Sequence, residues 1–253
     1  MGAIHFSIDV DLAELLAREL SISTFVETGT FKGDSVALVR SIFSEIHTCE
    51  LSAELHQAAL RRFEADDAVT CHLGSAGDLL KDISRKLVER PVLYWLDAHW
   101  CAGENTAGEE SQCPLLDELE AIYPLHPESV IWIDDARYFM SPPPKPLKAN
   151  GWPTCDQVIK ALVKLSADSH AVTFCNDTIL LFPKRIEQII FEYLYNNGCD
   201  WLNIAHSANV ILPQMKAARD AYKSEFDILV NQNIFNILMR YVSKNFNFLR
   251  RSS

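Results

Sequence analysis

Apolar runs of strand length alternate with helix-period patterns along the first two thirds of this chain. TFVET (24–28), IHTCE (46–50), VTCHL (69–73), VLYWLDAH (92–99) and VIWIDDA (130–136) read as five strands. Most are near-continuous apolar stretches, as expected when both faces of a sheet are covered. SVALVRSIF (35–43), AELHQAALRRF (53–63), AGDLLKDISRKLVE (76–89) and PLLDELEAIY (114–123) lie between them and space their apolar residues as helices do. Short links between alternating strands and helices predict an α/β fold with a doubly wound, mostly parallel sheet. In such a sheet the ligand crevice lies at the carboxyl ends of the strands.

The pattern changes after the fifth strand. MSPPPKPLKANGWP (140–153) is too rich in Pro and Gly for a helix and reads as an exposed, stiff loop. DQVIKALVKLS (156–166) resumes a helix, and AVTFCNDTILLFP (171–183) reads as two strands meeting at a tight Asn176-Asp177 turn. Residues 184–253 then carry only amphipathic helical patterns, with Ile189, Ile190, Tyr193 and Leu194 on one stripe. The expected organisation is an α/β domain over 1–183 and a helical C-terminal extension over 184–253. The extension is expected to pack on the core or to form a homodimer surface.

Composition narrows the partners. The chain has 253 residues, 48% hydrophobic and 23% charged, with a formal net charge of -11. That charge gives no electrostatic support for a phosphate backbone or an anionic membrane, so neither nucleic acid nor membrane is expected as a partner. No apolar run approaches the roughly 18 residues of a membrane span. The start, MGAIHFSIDVDLAELL, lacks the basic, long apolar pattern of a signal peptide, although Met-Gly also begins a myristoylation signal. Seven cysteines, several inside strand patterns, read as small buried hydrophobes of a reducing compartment, and the expected location is cytoplasmic.

Candidate chemistry collects where the topology places the crevice. FVETGTFKGDSV (25–36) runs a strand into Glu27, then a turn with Gly29 and Gly33, then a helix that opens at Ser35. Glycines allow close approach and a helix N-terminus presents free N–H groups to a polar ligand. The second strand ends in Glu50, the third runs into Gly74-Ser75, the fourth into Asp97-Ala98-His99 and the fifth into Asp134-Asp135. An acid at the end of a second strand suits the two vicinal hydroxyls of a ribose. The turn reads E-x-G-x-x-x-G, not G-x-G-x-x-G, which argues against a pyrophosphate cradle, and it has no G-K-[ST] of a P-loop. His99 is the candidate general base, since imidazole takes a hydroxyl proton near neutral pH. Trp95, Trp100 and Trp132 read as core or pocket wall, and the loop CAGENTAGEESQC (101–113) as a substrate gate.

ETGTFKG, Glu50 after a second strand, GSAGDLL after a third and WLDAHW at a fourth together resemble class I S-adenosylmethionine-dependent methyltransferases, over about residues 20–183. The resemblance implies a Rossmann-like sheet with an antiparallel last strand, DTILLFP. It implies that Glu27, Gly29, Thr30 and Gly33 surround the methionine moiety of S-adenosylmethionine, that Ser35 reaches its carboxylate, that Glu50 binds the ribose and that Ser75 lies near the adenine. WLDAHW and WIDDAR look more narrowly like the metal-dependent O-methyltransferases of catechols, sugars and antibiotics. That likeness implies Mg²⁺ held by Asp97, Asp134 and Asp135 beside a small-molecule hydroxyl, with Asp97 and His99 at the reacting centre. The alternative for the acidic pair is that Asp134 caps the next segment and Asp135 pairs with Arg137 or another base. The catechol enzymes carry a lysine where this chain has Trp100-Cys101, so the base is a point of departure from them. Two other readings of the chain are a nucleotide-sugar-binding or other α/β enzyme, and a non-catalytic binding protein with a helical dimerisation tail.

Overall fold

The computed structural model describes residues 7–100, 108, 111–200, 213, 214, 216, 217 and 220. The chain divides into two compact units, Met1–Gly198 and Cys199–Ser253. The gate loop 101–113 lies mostly outside the described residues, as does the C-terminal pattern beyond 200.

The first unit holds a seven-stranded sheet in the order β3-β2-β1-β4-β5-β7-β6. Its strands are β1 Thr24–Thr28, β2 Glu45–Glu50, β3 Val69–Leu73, β4 Val92–Leu96, β5 Val130–Ile133, β6 His170–Cys175 and β7 Thr178–Pro183. The first five pair in parallel, and β7 runs antiparallel between β5 and β6. The expected Rossmann-like sheet with its antiparallel last strand is therefore present. β4 and β5 stop at Leu96 and Ile133, so the polar residues after them stand free of the ladder.

Helices cover both faces: α1 Val10–Leu20, α2 Asp34–Val39, α3 Ala53–Arg62, α4 Ala76–Leu87, α5 Leu115–Ala121, α6 Arg137–Met140, α7 Cys155–Ser166 and α8 Glu187–Asn197. One apolar layer joins Val26, Leu96 and Ile133 of the sheet to α4, α5 and α7. The other joins Phe25, Trp95 and Trp132 to α1, α2 and α8. Trp95 and Trp132 are fully buried and meet edge to face at 5.4 Å, so they are core, not pocket wall. α1 was not assigned from the sequence, although Asp9 caps it by accepting from the Leu12 N–H and Leu12, Leu16 and Leu20 are its buried stripe. α8 belongs with the sheet, since Ile186 and Ile190 are buried and the Tyr193 hydroxyl donates to Asp9 at 3.0 Å. The first compact unit thus runs past 183 to Gly198. Among the described residues no helix is long and apolar enough to cross a membrane.

Candidate active site

The carboxyl ends of β3, β2, β1, β4 and β5 form a row fastened by backbone hydrogen bonds. The Gly74 N–H donates to Glu50 O (3.0 Å), Gly29 and Thr30 N–H both donate to Cys49 O (3.0 Å), Asp97 N–H donates to Thr28 O (3.1 Å) and Asp134 N–H to Leu96 O (3.1 Å). Gly29 is required here. Its φ is +87°, and a Cβ on it would fall 2.3 Å from the Asp97 carbonyl oxygen, so only glycine lets the β1 turn lie against the end of β4. Above this row opens a cavity of about 740 Å³, within the usual range for a small-molecule site.

Gly29, Glu50, Ser75, Asp97 and His99 line that cavity. Glu50 is 8% exposed and its two oxygens accept the Phe31 and Ser52 N–H groups, both at 2.8 Å. A carboxylate has about four lone-pair sites, so two remain for ligand hydroxyls. Ser75 caps α4 through the Asp78 N–H and donates its hydroxyl to the Asp78 carboxylate at 2.7 Å.

Glu27, Thr30, Gly33 and Ser35, expected around the methionine moiety, do not line the cavity. Glu27 is 1% exposed and accepts from the Thr48 hydroxyl at 2.6 Å; Thr48 and Thr30 hydroxyls are also 2.6 Å apart. This buried chain supports the turn from beneath. Gly33, at φ +77°, packs α2 against the Phe63 ring, and the Ser35 hydroxyl lies 3.3 Å from that of Ser7. Burial, followed by the charges of Glu50 and Asp34, pushes the Glu27 carboxyl up to about 8, even though Thr48 and Ser35 act to lower it.

His99 sits between two carboxylates. Its Nε2 is 2.6 Å from Asp135 Oδ2 and its Nδ1 is 3.2 Å from Asp97 Oδ1. Arg137 Nη1 contacts Asp135 Oδ1 at 2.5 Å and also pairs with the fully buried Asp177 in the β6–β7 turn. Asp135 adopts a left-handed backbone, φ +56°, held by its N–H donating to Asp134 Oδ1 at 2.8 Å. Left-handed backbone at a non-glycine residue is uncommon and tends to collect at functional sites. Burial acts to raise the Asp135 carboxyl, but the His99 hydrogen bond and the charges of His99 and Arg137 outweigh it and hold it below the usual range. Burial, then the charge of Asp135, pushes Asp134 up to about 7.

This arrangement does not fit the expected Mg²⁺ site. Magnesium needs oxygens converging at about 2.0–2.1 Å in an octahedral shell. Here the two oxygens of Asp135 are engaged by His99 and Arg137, one Asp134 oxygen holds a backbone N–H, and Asp97 turns to His99. Among the described residues no group of three or more His, Cys, Asp or Glu forms a metal-ligand set. Asp135 pairs with Arg137, as in the alternative reading of WIDDAR.

Three features of the site were not read from the sequence. Leu51 and Leu55 give the cavity an apolar wall next to Glu50. Trp152, Tyr138 and Phe139 form an aromatic cluster beside His99. Glu118 is 1% exposed on α5 and lines a cavity of about 10 Å³ with His99 and Asp134, room for one water. Burial pushes its carboxyl up to about 7. Its signal was present, since Glu118 shares the apolar face of Leu115, Leu119 and Ile122.

Glu27, Asp134 and Glu118 are buried acids whose carboxyls the fold raises, and each makes stability depend on pH. The folded Glu27 carboxyl keeps its proton to about pH 8, while the unfolded chain releases it near 4.5. Across that window the folded state binds more protons, so stability falls as pH rises and levels off above about 8. Asp134 and Glu118 act in the same direction up to about pH 7. Melting temperature is therefore expected to decline from about pH 6.5 to pH 8, above the range in which His72 and His170, lowered by burial, act the other way, and Glu27→Gln, which keeps an acceptor for Thr48, should flatten the decline. An unchanged slope in that variant would mean that Glu27 is ionised in the fold.

No family model matches the chain. No curated protein matches it in sequence. Among solved structures it is similar to a methyltransferase from Podospora anserina bound to S-adenosylhomocysteine (20% identity, 69% of this chain and 77% of that one, TM-score 0.47). It is also similar to an O-methyltransferase from Bacillus cereus in complex with the same molecule (17%, 68% and 80%, TM-score 0.45). A third is the O-methyltransferase TomG from Streptomyces achromogenes, involved in tomaymycin synthesis and bound to S-adenosylmethionine (18%, 69% and 79%, TM-score 0.46).

Proposed function

We propose that this protein is an S-adenosylmethionine-dependent O-methyltransferase acting on a hydroxyl of a small molecule, a sugar or natural-product intermediate. The observation that carries the reading is Glu50, a buried carboxylate ending β2, which lines the cavity beside a β1 turn that only glycine can make. The residues suit the cofactor. Glu50 would hold its ribose hydroxyls, Leu51 and Leu55 an apolar ring edge, and Gly29 and Asp97 the end that carries the methyl group.

S-adenosylmethionine supplies an electrophilic methyl on a sulfonium, and the chain supplies position and a proton acceptor. Asp135 accepts the Nε2–H of His99, which fixes the ring and turns Nδ1 toward Asp97 at the cavity wall. The Asp97–His99 pair would orient the acceptor hydroxyl and take its proton as the oxygen attacks in line. Arg137, balanced by Asp177, keeps Asp135 ionised for that task. No step of this mechanism is routed through Mg²⁺, since Asp135 and Asp97 are engaged by His99 and Arg137 in this structure.

The test begins with ligand binding. S-adenosylhomocysteine should raise the melting temperature, by the mass-action stabilisation that any native-state ligand gives. Incubation with S-adenosylmethionine and a panel of hydroxylated small molecules should then release S-adenosylhomocysteine, equally with and without EDTA. His99→Gln should lower that turnover by about 100-fold, the usual contribution of a general base, and leave cofactor affinity unchanged. No stabilisation by S-adenosylhomocysteine would refute the methyltransferase reading, and loss of turnover in EDTA would restore the metal.

A further inference from the structure

Residues 141–153 form a strap after α6, and one of its side chains reaches His99. Trp152 is 7% exposed and its ring centroid lies 5.3 Å from that of His99, 5.1 Å from Tyr138 and 5.8 Å from Phe139. Tyr138 in turn meets His99 edge on at 6.3 Å. The aromatic rings thus bound one side of the imidazole, and the two aspartates take its nitrogens.

The strap is itself clasped to the peptide next to His99 by one buried side chain. Gln112 is 2% exposed, its Oε1 accepts the Lys148 N–H at 2.7 Å, and its carbonyl accepts the Trp100 N–H at 2.8 Å. Gly151 lies against it, since a Cβ there would be 3.6 Å from Gln112 Cβ. Gln112 therefore ties the residue after His99 to both ends of the turn that delivers Trp152. The Nε2 hydrogen bond to Asp135 and the approach of Nδ1 to Asp97 fix two points of the imidazole but leave it free to rock about the line between them. Packing against an aromatic ring removes that freedom.

We propose that Trp152, clasped through Gln112, is the positioning residue that sets the ring plane of His99 and so keeps its Nε2–H aligned on Asp135. The inference rests on the reading of His99 as proton acceptor and adds a residue that acts through it. The strap, the acceptor side of the cavity and the base would then move together.

The indole N–H of Trp152 is buried with no hydrogen-bond partner in the structure. Trp152→Phe therefore keeps an aromatic face at no cost in hydrogen bonding, whereas Trp152→Leu removes the face. The readout is the downfield proton NMR signal of the His99 Nε2–H, assigned by its loss in His99→Gln and recorded on the full chain with saturating S-adenosylhomocysteine. Trp152→Leu should move or broaden this signal through faster exchange with water, and Trp152→Phe should restore it. Affinity for S-adenosylhomocysteine, by calorimetry, should stay within about twofold of wild type in both. Gln112→Ala, which frees the strap without touching the aromatic cluster, should broaden the same signal and serves if Trp152→Leu does not fold. A sharp, unshifted Nε2–H signal in Trp152→Leu or in Gln112→Ala would overturn the proposal, even if melting temperature falls. Failure of wild type to bind S-adenosylhomocysteine would instead refute the cofactor reading, while the unliganded spectra would still decide the role of Trp152.

Discussion

Glu50→Ala is expected to lower affinity for S-adenosylhomocysteine by about 100-fold, the loss of two charge-assisted hydrogen bonds of roughly 1.5–3 kcal/mol each, reduced by water that replaces them. The same change leaves the Phe31 and Ser52 N–H groups without the carboxylate they donate to, so melting temperature should fall as well. Glu50→Gln separates the two effects. Its amide oxygen can still serve one backbone donor, but it lacks the charge and the second acceptor, so binding should weaken about tenfold with a smaller loss of stability. Calorimetry and thermal denaturation of the three proteins check this. Equal affinity in wild type and Glu50→Ala would remove the ribose assignment and with it the main support for the cofactor.

Among the described glycines, Gly29→Ala should be the most damaging substitution. The new Cβ would stand 2.3 Å from the Asp97 carbonyl oxygen and 2.8 Å from its carbon, both backbone atoms that cannot rotate aside. The left-handed conformation at φ +87° adds about 1–2 kcal/mol of strain for any L side chain. Relief requires the ends of β1 and β4 to part, which moves Asp97 and the cavity floor. A fall of about 10 °C or more in melting temperature is expected, together with loss of S-adenosylhomocysteine binding. Gly77→Ala is the matched control, since nothing lies within 4 Å of its added Cβ and it should fold as wild type. If Gly29→Ala melts and binds like wild type, the tight crossing of the β1 turn over β4 is wrong.

The sheet was legible because most of its strands are apolar runs bounded by turn residues, and because Glu50, Asp97 and Asp134-Asp135 end or follow the strands on the same side. Gly29 was legible for a related reason, as a residue that no packing or charge pattern explains. The roles of the acids were less so. Glu27 and Glu50 look alike at the ends of neighbouring strands, yet Thr48 draws one under the turn and the cavity receives the other. Which carboxylate is neutralised depends on partners distant in the chain: Asp135 meets Arg137 two residues on, but Arg137 is itself held by Asp177, forty residues away. The aromatic cluster at His99 draws on Trp152 from a segment read only as a Pro-rich loop, where periodicity is silent. α1 escaped notice although Asp9 and the Leu12, Leu16, Leu20 spacing mark it.

β7 is the last strand of the sheet in sequence but not in space; it lies between β5 and β6, with Trp132 donating from β5 to Thr178 at 2.7 Å. During synthesis, therefore, the growing chain presents β5 as a bare apolar edge until Thr178–Pro183 has left the ribosome. β6 gains its neighbour in the sheet only then, and Arg137 lacks its Asp177 partner until the β6–β7 turn has emerged. The half of the crevice built on β1, β2 and β3 can form on earlier segments, while the half that holds His99 and Asp135 is completed last. A nascent chain stalled short of β7 would expose a strand edge ready to pair with any other, which makes the final strand a kinetic safeguard against aggregation as well as a part of the sheet.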